Sequence, residues 1–198
     1  MKKMITTVTV AAMVAGVGAG LAYKELNSAS NHSVALAKTF SSIDDIVKDA
    51  KVIIKGKVPK EYRKEVVGEI VFHVYDVQVI KLYNNLTDQE IKEGETVEMY
   101  RLVGVESKDG KDMANIVAPK YQSLHEGEYL LFLNGQFDDN LNKLILIPNT
   151  PNQLFKAEKS SRLASWKSNN TEFENITEDD ALPSINEADL LDAIDSLK

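Results

Sequence analysis

Histidines are the first residues in this chain that could do chemistry. There are three, His32, His73 and His125, and neither an HExxH pattern nor another metal-binding spacing connects them. His73 alternates with valine and tyrosine in a strand-like segment. We therefore predict that it is a packed or strand-edge residue and that the chain has no metal site.

A pair of carboxylates is the second candidate. Glu126 and Glu128 flank Gly127 and share one face if this segment is extended. Two carboxylates at short range can act as the acid and base of glycoside cleavage. No supporting residues for a cleft are evident, so a charged turn is the favoured interpretation. An exported hydrolase that gathers this pair with His73 or His125 is the alternative.

A run of calcium-type ligands is the third candidate. Asp138, Asn140 and Asn142 stand at the first, third and fifth positions of a calcium loop. Lys143 and Asn149 occupy the positions where that loop needs glycine and glutamate. A hairpin turn is therefore predicted there.

Several other chemistries are excluded by residues that the chain lacks. It has no cysteine, which excludes disulfides, thiolate metal sites and a cysteine nucleophile. It also has no GxSxG, SxxK or glycine-rich phosphate loop. We predict a protein that is not an enzyme and that uses no cofactor.

Tyrosines and a C-terminal apolar stripe are the candidates for binding. Six tyrosines lie in the central region, and tyrosine combines an apolar ring with a polar tip: Tyr62, Tyr75, Tyr83, Tyr100, Tyr121 and Tyr129. A helix predicted from Ser184 has a helical apolar stripe between acidic side chains. It could recognise a partner or dock onto its own domain. The predicted partner-binding residues are Tyr75, Tyr100, Tyr129, Leu190, Leu191 and Ile194.

Charge is distributed unevenly along the chain. Residues 38–167 hold 19 basic and 20 acidic side chains, whereas residues 168–198 hold nine acids and only Lys198. Neither part offers the basic stripe that a phosphate backbone needs, so nucleic acid is excluded as a partner. A protein or another component of the cell surface is the expected partner.

The N-terminus has the pattern of an export signal. Lys2 and Lys3 precede an uncharged run over residues 4–23, which is long enough to cross a bilayer. We assign residues 1–37 to a signal peptide or membrane anchor with a post-signal segment, and favour cleavage. The protein is then secreted or tethered to the outer face of the cytoplasmic membrane, and its membrane contact is limited to residues 4–23.

Apolar periodicity predicts a mainly β domain over residues 38–167. A short helix begins after Ser41 or Ser42. Predicted strands begin at Val52, with a bulge or bend at Gly56, and cover residues 69–81, 96–103, 128–133 and 141–147. A charged loop is predicted at 60–64 and a polar turn at Asn84-Asn85. In the acidic tail, 168–198, residues 168–182 are predicted as loop or disorder before the final helix.

Three segments carry a resemblance to a known family: Ala50 to Val58, Tyr75 to Lys81 and Gly127 to Leu133. Their order resembles a family of small exported domains from Gram-positive bacteria with an OB-like barrel. The resemblance covers about residues 41–156 and departs at Tyr83-Asn84-Asn85, where a glycine is expected. It implies a small OB-like barrel with a short N-terminal helix, and the C-terminal amphipathic helix predicted from its apolar stripe lies outside the resemblance. Because most members have no assigned activity, it implies a fold more than a function.

Overall fold

The computed structural model describes residues 40–107, 112–138, 142–150, 153–157, 171–177 and 181–197. The predicted export segment, with its membrane contact over residues 4–23, lies outside these residues. So do residues 139–141 of the predicted hairpin turn and residues 168–170, 178–180 and 198 of the tail. Within the described ranges, every helix is too short or too polar to span a membrane.

The fold is mainly β, as predicted. The described residues form ten strands, two α-helices and one 3-10 helix at Pro119–Tyr121. The helices are α1 (Ile43–Asp49) and α2 (Glu187–Asp195). The strands are β1 (Val52–Val58), β2 (Arg63–Val67), β3 (Ile70–Asn85), β4 (Thr96–Glu106), β5 (Met113–Asn115), β6 (Gly127–Asp138), β7 (Lys143–Pro148), β8 (Phe155–Ala157), β9 (Glu172–Asn175) and β10 (Ser184–Asn186).

Five long strands define the centre of the fold. β1 pairs with β3, β3 with β4, β4 with β7 and β7 with β6, and β6 pairs back to β1. We call these five strands the ring. Their pairings are antiparallel except between β4 and β7, where a parallel contact joins Met99 and Leu146. β8, β9 and β10 continue the sheet from β6, while β2 pairs with β3 and β5 with β4.

β3 shows how side chains are divided between the two faces of the ring. Tyr75, Val77 and Val79 pack into one core cluster with residues of β1, β4 and β6. Phe72 and Val74 pack into another with residues of β4 and β7. Because neighbouring side chains of a strand point to opposite faces, both faces of β3 are covered.

The helix ends confirm one predicted boundary and correct another. At α1, the side chain of Ser42 accepts a hydrogen bond from the Asp45 N–H at 3.2 Å, as expected for an N-cap. The predicted start of the last helix at Ser184 was wrong. Ser184–Asn186 pairs with β9, and Asn186 caps α2 by accepting from the Ala188 N–H at 2.9 Å.

Three other local predictions are corrected. β3 continues through the predicted turn to Asn85, whose side chain then accepts a hydrogen bond from the Thr87 N–H at 3.0 Å. The predicted charged loop is already strand from Arg63. Loop or disorder was wrong for Glu172–Asn175, because β9 pairs with both β8 and β10 and buries Phe173.

Candidate binding site

The six residues predicted to bind a partner are mostly in the core. Leu191 is 41% exposed, but the other five are almost completely buried: Tyr75, Tyr100, Tyr129, Leu190 and Ile194. A buried side chain cannot contact a partner while the protein is folded as in this structure. Any partner-binding surface of this fold is therefore built mainly from other residues.

Tyr75 and Tyr129 instead hold a loop over one end of the ring. The Tyr75 hydroxyl accepts a hydrogen bond from the Leu124 N–H at 2.9 Å. The Tyr129 hydroxyl donates to the His125 carbonyl at 2.8 Å. The two tyrosine side chains pack with residues of β1, β3 and β4 that fill the interior of the ring. The two hydrogen bonds therefore tie the loop to the core.

Arg101 is a buried charge that the sequence interpretation missed. It belongs to β4, is 0% exposed and donates from Nη1 to the Gln122 carbonyl at 2.6 Å. Burial lowers the pKa of its guanidinium to about 10, because water no longer solvates the positive charge. The one signal in the sequence was its place two residues after Met99 in the apolar run of β4, because residues two apart on a strand share a face and Met99 faces the core cluster of Tyr75 and Tyr129.

His73 lies against the same carbonyl. Its Nδ1 is 2.9 Å from the Gln122 oxygen, which can only accept, so Nδ1 carries the proton. Burial lowers the pKa of His73, and the positive charges of Arg101 and Lys64 lower it further, although the bond to Gln122 opposes this. The neutral ring is therefore favoured, and the prediction of a packed histidine is confirmed.

Tyr62 covers His73 from the solvent side. The rings of Tyr62 and His73 are stacked, with centroids 3.9 Å apart and planes at 20°. The centroid of the Tyr75 ring lies 5.5 Å from that of Tyr62. Tyr62 is 40% exposed, which makes it the most exposed aromatic side chain of the described residues. We call the stacked pair of Tyr62 and His73 the Tyr62 platform. It presents an aromatic face that its neighbours hold in place.

Tyr100 belongs to a charged network on the other face of β3 and β4. Glu98 binds both Arg63, at 2.6 Å, and Lys143, and Lys143 donates to the Tyr100 hydroxyl at 2.6 Å. Arg63 also binds Asp76 at 2.9 Å. Burial raises the pKa of Tyr100, whereas for Glu98 the bonds from Lys143 and Arg63 outweigh burial and lower the pKa. These contacts link β2, β3, β4 and β7 on this face through one network of charges.

The two carboxylates of the hydrolase alternative are bound by lysines. Glu128 pairs with Lys55 at 2.8 Å and Glu126 with Lys57 at 3.9 Å, both on β1. His125 contributes its carbonyl to Tyr129, as described above. Across the described ranges, His, Asp and Glu side chains form no group of three that could hold a metal ion.

No family model, curated protein or solved structure matches this chain. The resemblance to small exported Gram-positive domains therefore stays a prediction.

The C-terminal helix docks onto its own domain in this structure. Leu190 and Ile194 pack with Ile46 and Val47 of α1 and with Phe155 of β8. At the start of α2, Oε1 of Glu187 accepts hydrogen bonds from Lys81 Nζ and the Tyr83 hydroxyl, both at 2.7 Å. The two bonds join α2 to the end of β3.

Glu187 gives the docked helix a predicted dependence on pH. Burial would raise its pKa, but the bonds from Lys81 and Tyr83 outweigh burial and lower the pKa to about 2 from an ordinary value of 4.5. The stabilisation is therefore present above pH 4.5 and is lost as the pH falls towards about 2. We expect E187Q to be less stable than the parent at pH 7 and to lose less stability on acidification.

Urea unfolding at a series of pH values between 7 and about 3 measures this difference in slope. E126Q is the matched control, because Glu126 is exposed and its ion pair with Lys57 is long. Equal slopes for E187Q and the parent would contradict the role given to Glu187.

Proposed function

We propose that this chain is an exported, non-enzymatic binding module of a bacterial cell surface. Its ring forms an OB-like barrel, and the Tyr62 platform is the surface that meets the partner. The positive N-terminus and the uncharged run over residues 4–23 support export.

The strand pairing supports the OB-like barrel. An OB-fold is a five-stranded Greek-key barrel. The ring has five strands in the spatial order β1, β3, β4, β7, β6, and its last strand pairs back to its first. Loops at the ends of such barrels commonly bind ligands. Tyr62 lies in the connection between β1 and β2, at one of these ends.

The observation that carries the binding proposal is the stacking of an exposed Tyr62 on a buried His73. Tyrosine is enriched among the few residues that dominate binding energy at protein interfaces. Because the Tyr62 side chain is already held by stacking on His73, it loses little conformational entropy when a partner covers it. The close ion pair of Glu128 with Lys55, at 2.8 Å, leaves this carboxylate less available for catalysis and favours binding over the hydrolase alternative.

Replacement of Tyr62 with alanine tests the proposal. We expect Y62A to weaken capture of the partner about tenfold or more, because truncation of a central aromatic anchor costs more than 1.4 kcal/mol of binding energy. The measurement is a quantitative pull-down from an envelope extract, with the tagged, exported chain as bait.

L86A is the matched control for Y62A. Leu86 is 67% exposed, so its truncation also removes apolar surface. It follows β3, whereas Tyr62 lies in the β1–β2 connection, so the truncation leaves the Tyr62 platform intact. We expect L86A to capture the partner as the parent does. A partner that Y62A and the parent retain equally would overturn the platform as the binding surface.

A further inference from the structure

The strand next to the Tyr62 platform is at an edge of the sheet. β2 pairs with β3, and no other strand in the described part of the chain pairs with it. β2 and β3 are joined by a two-residue turn, Gly68-Glu69, in which Gly68 has the positive φ of 68° that such a turn needs at its first position. Among the described residues, the backbone groups on the other edge of β2 thus have no pairing strand.

The pairing with β3 determines which groups these are. Val67 and Ile70 close the turn and exchange hydrogen bonds, and hydrogen-bonded and non-hydrogen-bonded pairs then alternate along the ladder. The N–H and C=O groups of Glu65 therefore face β3, and those of Lys64 and Val66 face outward. A second strand could bind to the outward groups by strand addition.

The side chains along this edge complement themselves. Tyr62 and Val66, which is 45% exposed, lie on one face, and Arg63 and Glu65 lie on the other. We propose that the partner of the Tyr62 platform is a second copy of this chain, with the two β2 edges paired antiparallel and Lys64 opposite Lys64. This inference rests on the proposed function, since it names the partner of the same surface.

This register brings complementary residues together twice, because a two-fold axis relates the copies. Tyr62 of each copy lies opposite Val66 of the other, and aromatic and β-branched side chains pair favourably. Arg63 of each copy lies opposite Glu65 of the other. The two Lys64 side chains meet at the axis. In each copy, Glu106 lies 3.5 Å from Lys64 of the same chain and offsets its charge.

The register shifted by one residue in each copy is less favourable. It places Glu65 opposite Glu65, a like-charge pair that destabilises the strands as Lys64 opposite Lys64 does, and it loses the two Arg63–Glu65 pairs between the copies. It also separates Tyr62 from Val66. Since one short strand per copy contributes, the interface is at the small, reversible end of the known range, and covalent trapping is the appropriate measurement.

The absence of cysteine from the chain makes a clean trapping experiment possible. In the proposed register, the two residues at position 64 are about 5.5 Å apart between Cα atoms, within the range of a disulfide. The two residues at position 65 are offset along the strands and lie beyond its limit of about 7 Å. The shifted register reverses this order.

The variants K64C, E65C and L86C, each in the full chain as the cell exports it, are oxidised gently and separated on a non-reducing gel. We expect a disulfide-linked dimer from K64C at a yield several-fold above that from E65C or the surface control L86C. Addition of E65R to K64C places arginines opposite each other and should lower the yield several-fold. Addition of Y62A should also lower it.

The outcomes separate this inference from the proposed function. If K64C gives no more dimer than L86C while Y62A still loses a captured partner, the platform binds a different protein and the second copy is excluded. If E65C is the better trap, the proposed register is wrong. If K64C gives no more dimer than L86C and Y62A captures the partner as well as the parent does, both the inference and the proposed function fail.

Discussion

Replacement of Leu190 with alanine is expected to lower the free energy of unfolding by about 2–5 kcal/mol. Leu190 is completely buried in the cluster that joins α2 to α1, β1, β6 and β8. Truncation removes apolar contacts and leaves a cavity that the surrounding strands fill only in part. Urea unfolding of the parent and of L190A gives the difference, provided that the dependence of the free energy on urea concentration stays the same.

L191A is the control for this experiment, since it removes the same atoms from the next residue of the same helix. Leu191 is 41% exposed, so its truncation is expected to change the free energy of unfolding by no more than about 0.5 kcal/mol. The pair distinguishes a helix docked on its own domain from one held out for a partner. Similar effects of L190A and L191A would contradict the docked position of α2.

The helices and strands that were predicted most accurately are those with a capping residue or a long apolar pattern in their own sequence. The first helix has an N-cap at Ser42, and β1, β3 and β4 have long apolar patterns. Short strands were missed. β5, β9 and β10 have three or four residues each, and they are strands only because neighbouring strands pair with them. A pattern of that length does not distinguish a strand from a loop.

The end of β3 illustrates a related limit. Asn84 and Asn85 are typical turn residues, yet they pair with Ile53 and Val52 of β1. The pairing partner is remote in sequence and overrides the local preference. The turn begins only beyond Asn85, where the side chain of that asparagine binds the Thr87 N–H.

The candidate site was predicted only in part. The proposed platform is also built on a tyrosine, but exposure separates Tyr62 from Tyr75 and Tyr129, and exposure depends on the loop that covers one end of the ring. His73 was expected to be packed, whereas its stacking on Tyr62 follows from a contact across the β1–β2 connection. Arg101 was overlooked because a charge in an apolar strand pattern is usually solvent-exposed.

Replacement of Gly56 with alanine is expected to destabilise the fold by about 1–3 kcal/mol through overpacking. Gly56 lies in β1 between β3 and β6, where the register with β3 shifts, as its glycine predicted. An added Cβ would lie 2.5 Å from Cγ1 of Val77, which is completely buried. Because the branched side chain of valine is restricted at χ1 and Val77 is completely buried, β1 or β3 has to move.

Removal of the opposing methyl group should relieve this strain. V77A alone is expected to cost about 2 kcal/mol, since it leaves a small cavity in the ring. In the double variant G56A/V77A, the new Cβ occupies part of that cavity, so the total loss should be smaller than the sum of the two single losses by at least about 0.5 kcal/mol. Urea unfolding of the four proteins gives this interaction energy. Strict additivity would mean that β1 accepts a side chain at position 56 by adjusting its bulge, and that close approach to Val77 is not what requires glycine there.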